Sequence, residues 1–476
     1  MTTNETTATT SVSVPTVTGI RAVRLLMQLA GPSVVAGAIA RRHSTLPLLE
    51  KVQADASTPR LVSGLREEFG SGPLLLDLPG RRVVVLLDRE DASRVLEETP
   101  DPFSPANCEK VAALSSFQPH GVLVTRGRLR VARRAFNESV LETGEPLHYL
   151  AGAMTETVVS ETGELNELAR ARGHLDAGSF LPAWWNLVRS LVLGSSARED
   201  NSVTDQLWRL RSQGNWSYFL PHRRRLRDRF IESLYQYAAR AEMPSLIAAV
   251  NQTSAAPSVD PIGQVPHWLF AFDAAGIVTI RALALLATHP RQRARALEEI
   301  DETDPRHPSR YPFLRACVLE SARLWPTTPV ILRDSIAPTT WPTERGVAEI
   351  PTDSAFIILT AAFHRDPQNV PFADVFTPDA WLDGRADTQA FMPFSGGPAV
   401  CPGQNFALFV ATTALANLLR GNTFELDPRT GLTADAAVPA TLNHYSLRFR
   451  TKPARRRYRG RPLNRCGSGT KRSGSC

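Results

Sequence analysis

Between Pro266 and Pro290 the chain reads HWLFAFDAAGIVTIRALALLATH, with Asp273 and Arg281 as its only charged side chains. A helix of this composition is apolar on every face, and a helix with no polar face must be enclosed by other elements. Whatever this chain folds into is therefore built around that segment. Gly276 interrupts it at a cost of about 1 kcal/mol relative to alanine, so the missing side chain must serve a purpose, such as leaving room for a small molecule.

The flanking sequence supplies the enclosure. From about 130 to 300 Ala, Leu, Arg and Glu recur at helical spacing, broken by Pro or Gly. Strand-like runs lie on either side: PLLLDL and RRVVVLLD around the Pro79-Gly80 turn, VILRDSI (330–336), AFIILTAAF (355–363) and HYSLRFR (444–450). There is no internal repeat and no long linker. The expected fold is mainly α with small β-sheets (α+β), a single large domain around the long central helix. Its expected bounds are 21–450, between a disordered segment 1–20 and a basic disordered tail 451–476.

Charge does not point to nucleic acid. The net charge is +7, but residues 451–476 hold nine Lys or Arg and no acid, so the rest of the chain is nearly neutral. The tail is expected to be a solvated terminus. After Arg21 and Arg24, the uncharged run LLMQLAGPSVVAGAIA is shorter than the roughly 20 residues that span a bilayer. No transmembrane span is expected; a secretory signal is the alternative, since Ala36-Gly37-Ala38 resembles a cleavage site. Cys108, Cys317, Cys401, Cys466 and Cys476 lack CxxC spacing, which fits a reducing cytoplasm.

Cys401 is different in kind. It sits in FMPFSGGPAVCPGQN (391–405), where Pro and Gly bar regular structure until the apolar helix QNFALFVATTALANLLRG begins. A thiol just before a helix N-terminus gains from the helix dipole, which predicts a lowered pKa and a thiolate suited to a soft metal. The neighbouring glycines would let a flat partner approach the backbone.

Phe394, Gly397, Cys401 and Gly403 resemble the haem-binding loop of the cytochrome P450 family, F-x-x-G-x-R-x-C-x-G. Ala399 departs from it, where the family has an Arg or His on a haem propionate. In PFLRACVLESARLWP, Glu320 and Arg323 resemble the family's structural Glu-Arg pair, although Ala380 stands where a third member is expected. Ala275 to Thr279 resemble A/G-G-x-D/E-T of the family's central helix, with Val278 in place of the acid. The resemblance implies that Thr279, as a hydrogen-bond donor to dioxygen, and Gly276, as the open position beside it, are the catalytic residues. Thr279 has the alternative of bonding back to its own helix, and Asp273 would either substitute for the missing acid through water or serve a local structural role. Arg333, and Arg133 or Arg134, would contact haem propionates.

The resemblance implies a haem b (iron protoporphyrin IX) monooxygenase with Cys401 as metal ligand. It would insert one oxygen atom from dioxygen into a lipophilic small molecule. Electrons would come from a separate ferredoxin or flavodoxin with its reductase, since no stretch resembles a fused reductase. RRRLRDR (223–229) or Arg133 and Arg134 would steer that carrier, unless they are solvated helix faces, which is the favoured alternative; the protein would be a monomer. Substrate contacts are expected from 105–120, 326–332 and 440–446, which are mostly apolar. Val278 keeps open a peroxide-dependent or coupling and rearrangement haem-thiolate enzyme; a non-catalytic scaffold for another enzyme is the third alternative.

Overall fold

The computed structural model describes residues 11–343, 346–388 and 391–454. The apolar segment forms a helix over Val265–Thr288. Pro266 lies in its first turn, where a missing N–H costs nothing, and Pro290 opens the next helix, Pro290–Asp301. Helices Ala177–Leu193, Pro312–Leu324 and Gln404–Gly421 pack around it and share one hydrophobic core with it. This central helix is the one among the described residues long and apolar enough to cross a membrane, and most of it is buried inside the protein.

Strands form a six-stranded sheet in the order Thr16–Thr18, Leu74–Leu78, Arg81–Val85, Ala355–Leu359, Val330–Ser335, Phe103–Ser104. Alternation of side chains divides its inner strands between two cores. Val84, Phe356, Ile358 and Ile331 face one; Val83, Val85, Ala355, Ile357 and Leu359 face the other. Both faces are covered, which is why these strands read as continuous apolar runs. A second sheet pairs Ser11–Val12 with the hairpin Thr339–Thr343/Gly346–Ile350; a third joins Asn422–Leu426, Arg448–Pro453 and His174–Asp176.

Several boundaries differ from the sequence expectation. The strand expected over 355–363 ends at Leu359, because Thr360 turns away to bond Pro329 O and starts the short helix Thr360–His364. The terminal strand begins at Arg448, since Asn443 captures the Tyr445 N–H and forces a turn at 444–446. Within the segment expected to be disordered, Thr16–Thr18 pairs with Leu75–Asp77. Helix Gly19–Ala36 follows and buries Ala22, Leu25 and Leu29 beneath the sheet, so the apolar run beginning at Leu25 is part of the fold. At the other end residues 451–453 belong to the third sheet. The basic tail from 455, with Cys466 and Cys476, lies outside the described residues.

Candidate functional site

Cys401 stands three residues before helix Gln404–Gly421, and its N–H donates to Phe394 O at 3.0 Å, closing the loop. Phe394 is half-buried against the main core. Gly397 has φ +59°, and a Cβ there would lie 2.0 Å from Leu96 O. Gly397 is therefore required by the loop's close seat on helix Arg89–Glu97. Gly403 has only an ordinary contact, 3.8 Å from Leu141 Cδ1, and contributes its N–H to the Cys401 sulfur. Burial pushes the Cys401 thiol up, and the Gly403 N–H and the Arg134 charge oppose that only partly. The helix terminus thus does not by itself create a thiolate, because loss of water outweighs it.

One buried cation reaches this loop, Arg333, and Arg130 and the half-buried Lys110 lie near it. Arg333, on strand Val330–Ser335, donates to Thr99 Oγ1 (3.0 Å), Leu332 O (3.0 Å) and Ser395 Oγ (3.1 Å). It is buried, which rules out a surface strand arginine. Arg130, on helix Gly127–Leu141, donates to Val122 O. Lys110 Nζ donates to Pro105 O and Leu332 O. None of these three holds a carboxylate. The neighbouring Asp334 is already engaged with Arg81, Arg126 and the Cys108 N–H. Burial lowers Arg333 and Arg130 to about 10, and the charge of a neighbouring arginine lowers each further: Arg130 for Arg333, Arg134 for Arg130. A buried cluster of like charges of this kind lacks an anion.

On this helix the family resemblance points to Arg133 or Arg134. Arg133 is buried against Thr125 Oγ1, which also removes it as a steering residue, while Arg134 donates to Val400 O at 2.7 Å and pairs with Glu138. Arg130 was missed, because four arginines within one helix cannot be sorted until the inward face is known.

Glu320 and Arg323 form an ion pair at 2.7 Å with both side chains 0% exposed. Glu320 also accepts from the Thr377 N–H (2.9 Å) and Trp381 Nε1 (2.8 Å). Arg323 donates to His364 O, Phe372 O, Ala373 O and Val375 O. The pair is a structural clamp on the segment before the cysteine loop, not a solvated helix pair. The partner expected at Ala380 is replaced by the indole of Trp381 and by main-chain carbonyls.

On the central helix the space at Gly276 is filled by protein: a Cβ there would lie 2.7 Å from Trp184 Nε1, which donates to Phe272 O at 2.8 Å. Gly276 thus makes room for the indole, correcting its assignment as an opening for oxygen. Thr279 is 0% exposed and its hydroxyl donates to Ala275 O at 2.7 Å. Asp273 is paired with Arg211 at 2.6 Å. Although the helix is central, Ala271 is exposed and Ala274 and Ala275 are half-buried, so this stripe is accessible. The segment at 440–446 meets the helix through Arg281, which donates to Leu442 O and to Trp325 O, just before the segment at 326–332. The surroundings expected to be mostly apolar therefore include buried charge.

The profile of the cytochrome P450 family matches residues 275–438. A probable cytochrome P450 4s3 of Drosophila melanogaster is 35% identical over 30% of this chain and 28% of its own length. Cytochrome P450 4A22 of Homo sapiens is 31% identical over 44% of this chain and 41% of its own. The chain thus spans less than half the length of these curated relatives. A retinoic acid bound cyanobacterial CYP120A1 shares the fold, with TM-score 0.65 and 16% identity over 82% of this chain and 94% of that one. The profile match over 275–438 and the shared fold make this chain similar to the cytochrome P450 family, and its cysteine loop and buried Glu320–Arg323 clamp lie where the resemblance expects them.

Proposed function

We propose that the protein is a haem-thiolate monooxygenase acting on a lipophilic small molecule. Cys401 would ligate the iron of a haem b, and Lys110, Arg130 and Arg333 would hold its two propionates. The fit rests on one observation: Arg333, buried and without a carboxylate, bonds the cysteine loop at Ser395, and Arg130 and Lys110 add like charge beside it with no carboxylate of their own. The chemistry the haem supplies there is reductive activation of dioxygen, with thiolate donation favouring O–O cleavage.

The chain's own residues position and desolvate. Ser321 Oγ donates to Val278 O at 3.1 Å and ties the central helix to the Glu320–Arg323 helix. The accessible Ala271, Ala274 and Ala275 give an apolar surface for substrate, and the retinoic acid in the solved neighbour's title supports a lipophilic ligand. Electrons would come from a separate ferredoxin or flavodoxin with its reductase. A surface cavity of about 100 Å³ beside the cysteine-proximal helix, lined by Arg310, Arg315 and Asn405, offers an acidic carrier a basic seat. The cytoplasm is the proposed compartment, supported by free thiols at Cys108, Cys317 and Cys401.

A second reading, peroxide-dependent turnover, draws on the central helix. Val278 carries no proton and Asp273 is committed to Arg211, so proton relay through either is blocked. The test is the carbon monoxide difference spectrum of the reduced, haem-supplied protein, with Cys401→Ala as control. A thiolate-type band that the substitution abolishes is expected; no such band, or one that survives Cys401→Ala, ends the proposal. Product formed with peroxide alone, and none with carrier and dioxygen, selects the second reading.

A further inference from the structure

His267, Phe270, Ala271 and Ala274 fall at helical spacing on one stripe of the central helix and all keep accessible surface, whereas Trp268, Leu269 and Phe272 between them are buried. His267 ends this stripe. Burial lowers its imidazole to about 4, so the ring is neutral at ordinary pH, yet the residue is only half-buried. A ring that is desolvated by surrounding protein and still accessible lines a recess, not an outer face.

Gln118 stands beside that recess. Its Oε1 accepts from His267 Nδ1 at 2.9 Å, which puts the ring proton on Nδ1 and leaves Nε2 as an acceptor. The residue is 0% exposed, and its Nε2 is buried without a partner. Gly121 makes room for this amide, since a Cβ there would lie 2.9 Å from Gln118 Oε1. Phe270 flanks the pair, its ring centroid 5.8 Å from that of His267 and 5.5 Å from that of Phe117.

A tether between the turn at 118–121 and the central helix would explain the Oε1 bond alone. That turn is already held, because Gln264 Nε2 donates to His120 O at 2.8 Å. The adjoining network is fully paired: Trp268 Nε1 donates to Asn137 Oδ1, and Asn137 Nδ2 to Gln264 Oε1. The unpaired donor at Gln118 is therefore local, and burying one without a partner is costly. Reversing the Gln118 amide would exchange the roles, with the amide then offering an acceptor and His267 Nε2 a proton. Either way the pair presents one donor and one acceptor side by side. A hydroxyl uses both, and the neutral imidazole gives an anion no charge to meet.

We propose that the Gln118 amide and the His267 imidazole form a subsite for a hydroxyl group at one end of a neutral lipophilic substrate, whose apolar body lies along Phe270, Ala271 and Ala274. This rests on the monooxygenase reading for calling the ligand a substrate, but its binding needs no iron.

The test is calorimetric titration of the haem-loaded protein with decan-1-ol and 4-phenylbutan-1-ol, each against the fluoride of the same skeleton, which is close to the hydroxyl in size but carries no proton. The haem spectrum is recorded separately. At least one alcohol should bind about tenfold or more tighter than its fluoride. Gln118→Leu and His267→Phe, each checked for an intact melting transition, should bring that ratio close to one while the fluoride still binds; either variant suffices if the other does not fold. Alcohols and fluorides that bind equally, or both not at all, overturn the proposal. So does a preference that survives both substitutions, or a loss of both ligands together, which marks a purely structural role. A missing thiolate band with the alcohol preference intact would count against the monooxygenase reading alone.

Discussion

Glu320→Gln is a sharp test of how this fold is held. The two carboxylate oxygens accept from Arg323 Nε (2.8 Å), Arg323 Nη2 (2.7 Å), the Thr377 N–H (2.9 Å) and Trp381 Nε1 (2.8 Å). With both side chains of the pair 0% exposed, no water can replace a lost acceptor. Glutamine keeps one acceptor oxygen and turns the other position into a donor facing donors, while Arg323 loses its only carboxylate. Removing one partner of a buried ion pair costs about 3–5 kcal/mol, a large part of the roughly 5–15 kcal/mol that holds a typical domain. Urea unfolding followed by circular dichroism should show the midpoint falling with the slope unchanged. Glu320→Leu with Arg323→Leu should cost less than the two single changes summed, because neither charge is then stranded. It should still be destabilising, since four carbonyls of residues 364–375 lose their donor. A Glu320→Gln protein within about 1 kcal/mol of the parent would refute the clamp.

Two further outcomes follow from the same packing. Gly276→Ala should destabilise by about 1–3 kcal/mol despite alanine's better helix propensity, because its Cβ would press on the Trp184 ring. Trp184→Leu should relieve that loss, and a melting temperature at or above the parent's for Gly276→Ala would contradict the contact. His364 is buried, its Nε2 accepts the Met392 N–H, and burial lowers it from 6.5 to about 3. The unfolded chain therefore takes up this proton first as pH falls. The associated stability is complete above pH 6.5, declines by roughly 1.4 kcal/mol per unit below it, and is lost as pH passes about 3. Urea midpoints of parent and His364→Gln compared at pH 7.5 and 4.5 should converge as pH falls; parallel profiles would reject this assignment.

The sequence by itself determined the central helix, the main strands and the cysteine loop, because each is written in residues a few positions apart. Apolar periodicity, Pro266 and Pro290 at its ends, and the Gly-Pro loop before an apolar helix need no distant partner to be read. The Glu320–Arg323 spacing was equally legible, but its burial was not: that depends on Trp381 and on carbonyls up to 52 residues away. Tertiary structure alone decided which arginine of the Gly127–Leu141 helix points inward, that Gly276 accommodates Trp184, and that Cys401 is desolvated beyond what its helix can offset. It also brought Arg41 to Thr327 across 286 positions, placing charge in surroundings whose own sequence is apolar. Burial and charge compensation are sums over everything nearby in space, and only the folded chain sets those neighbours.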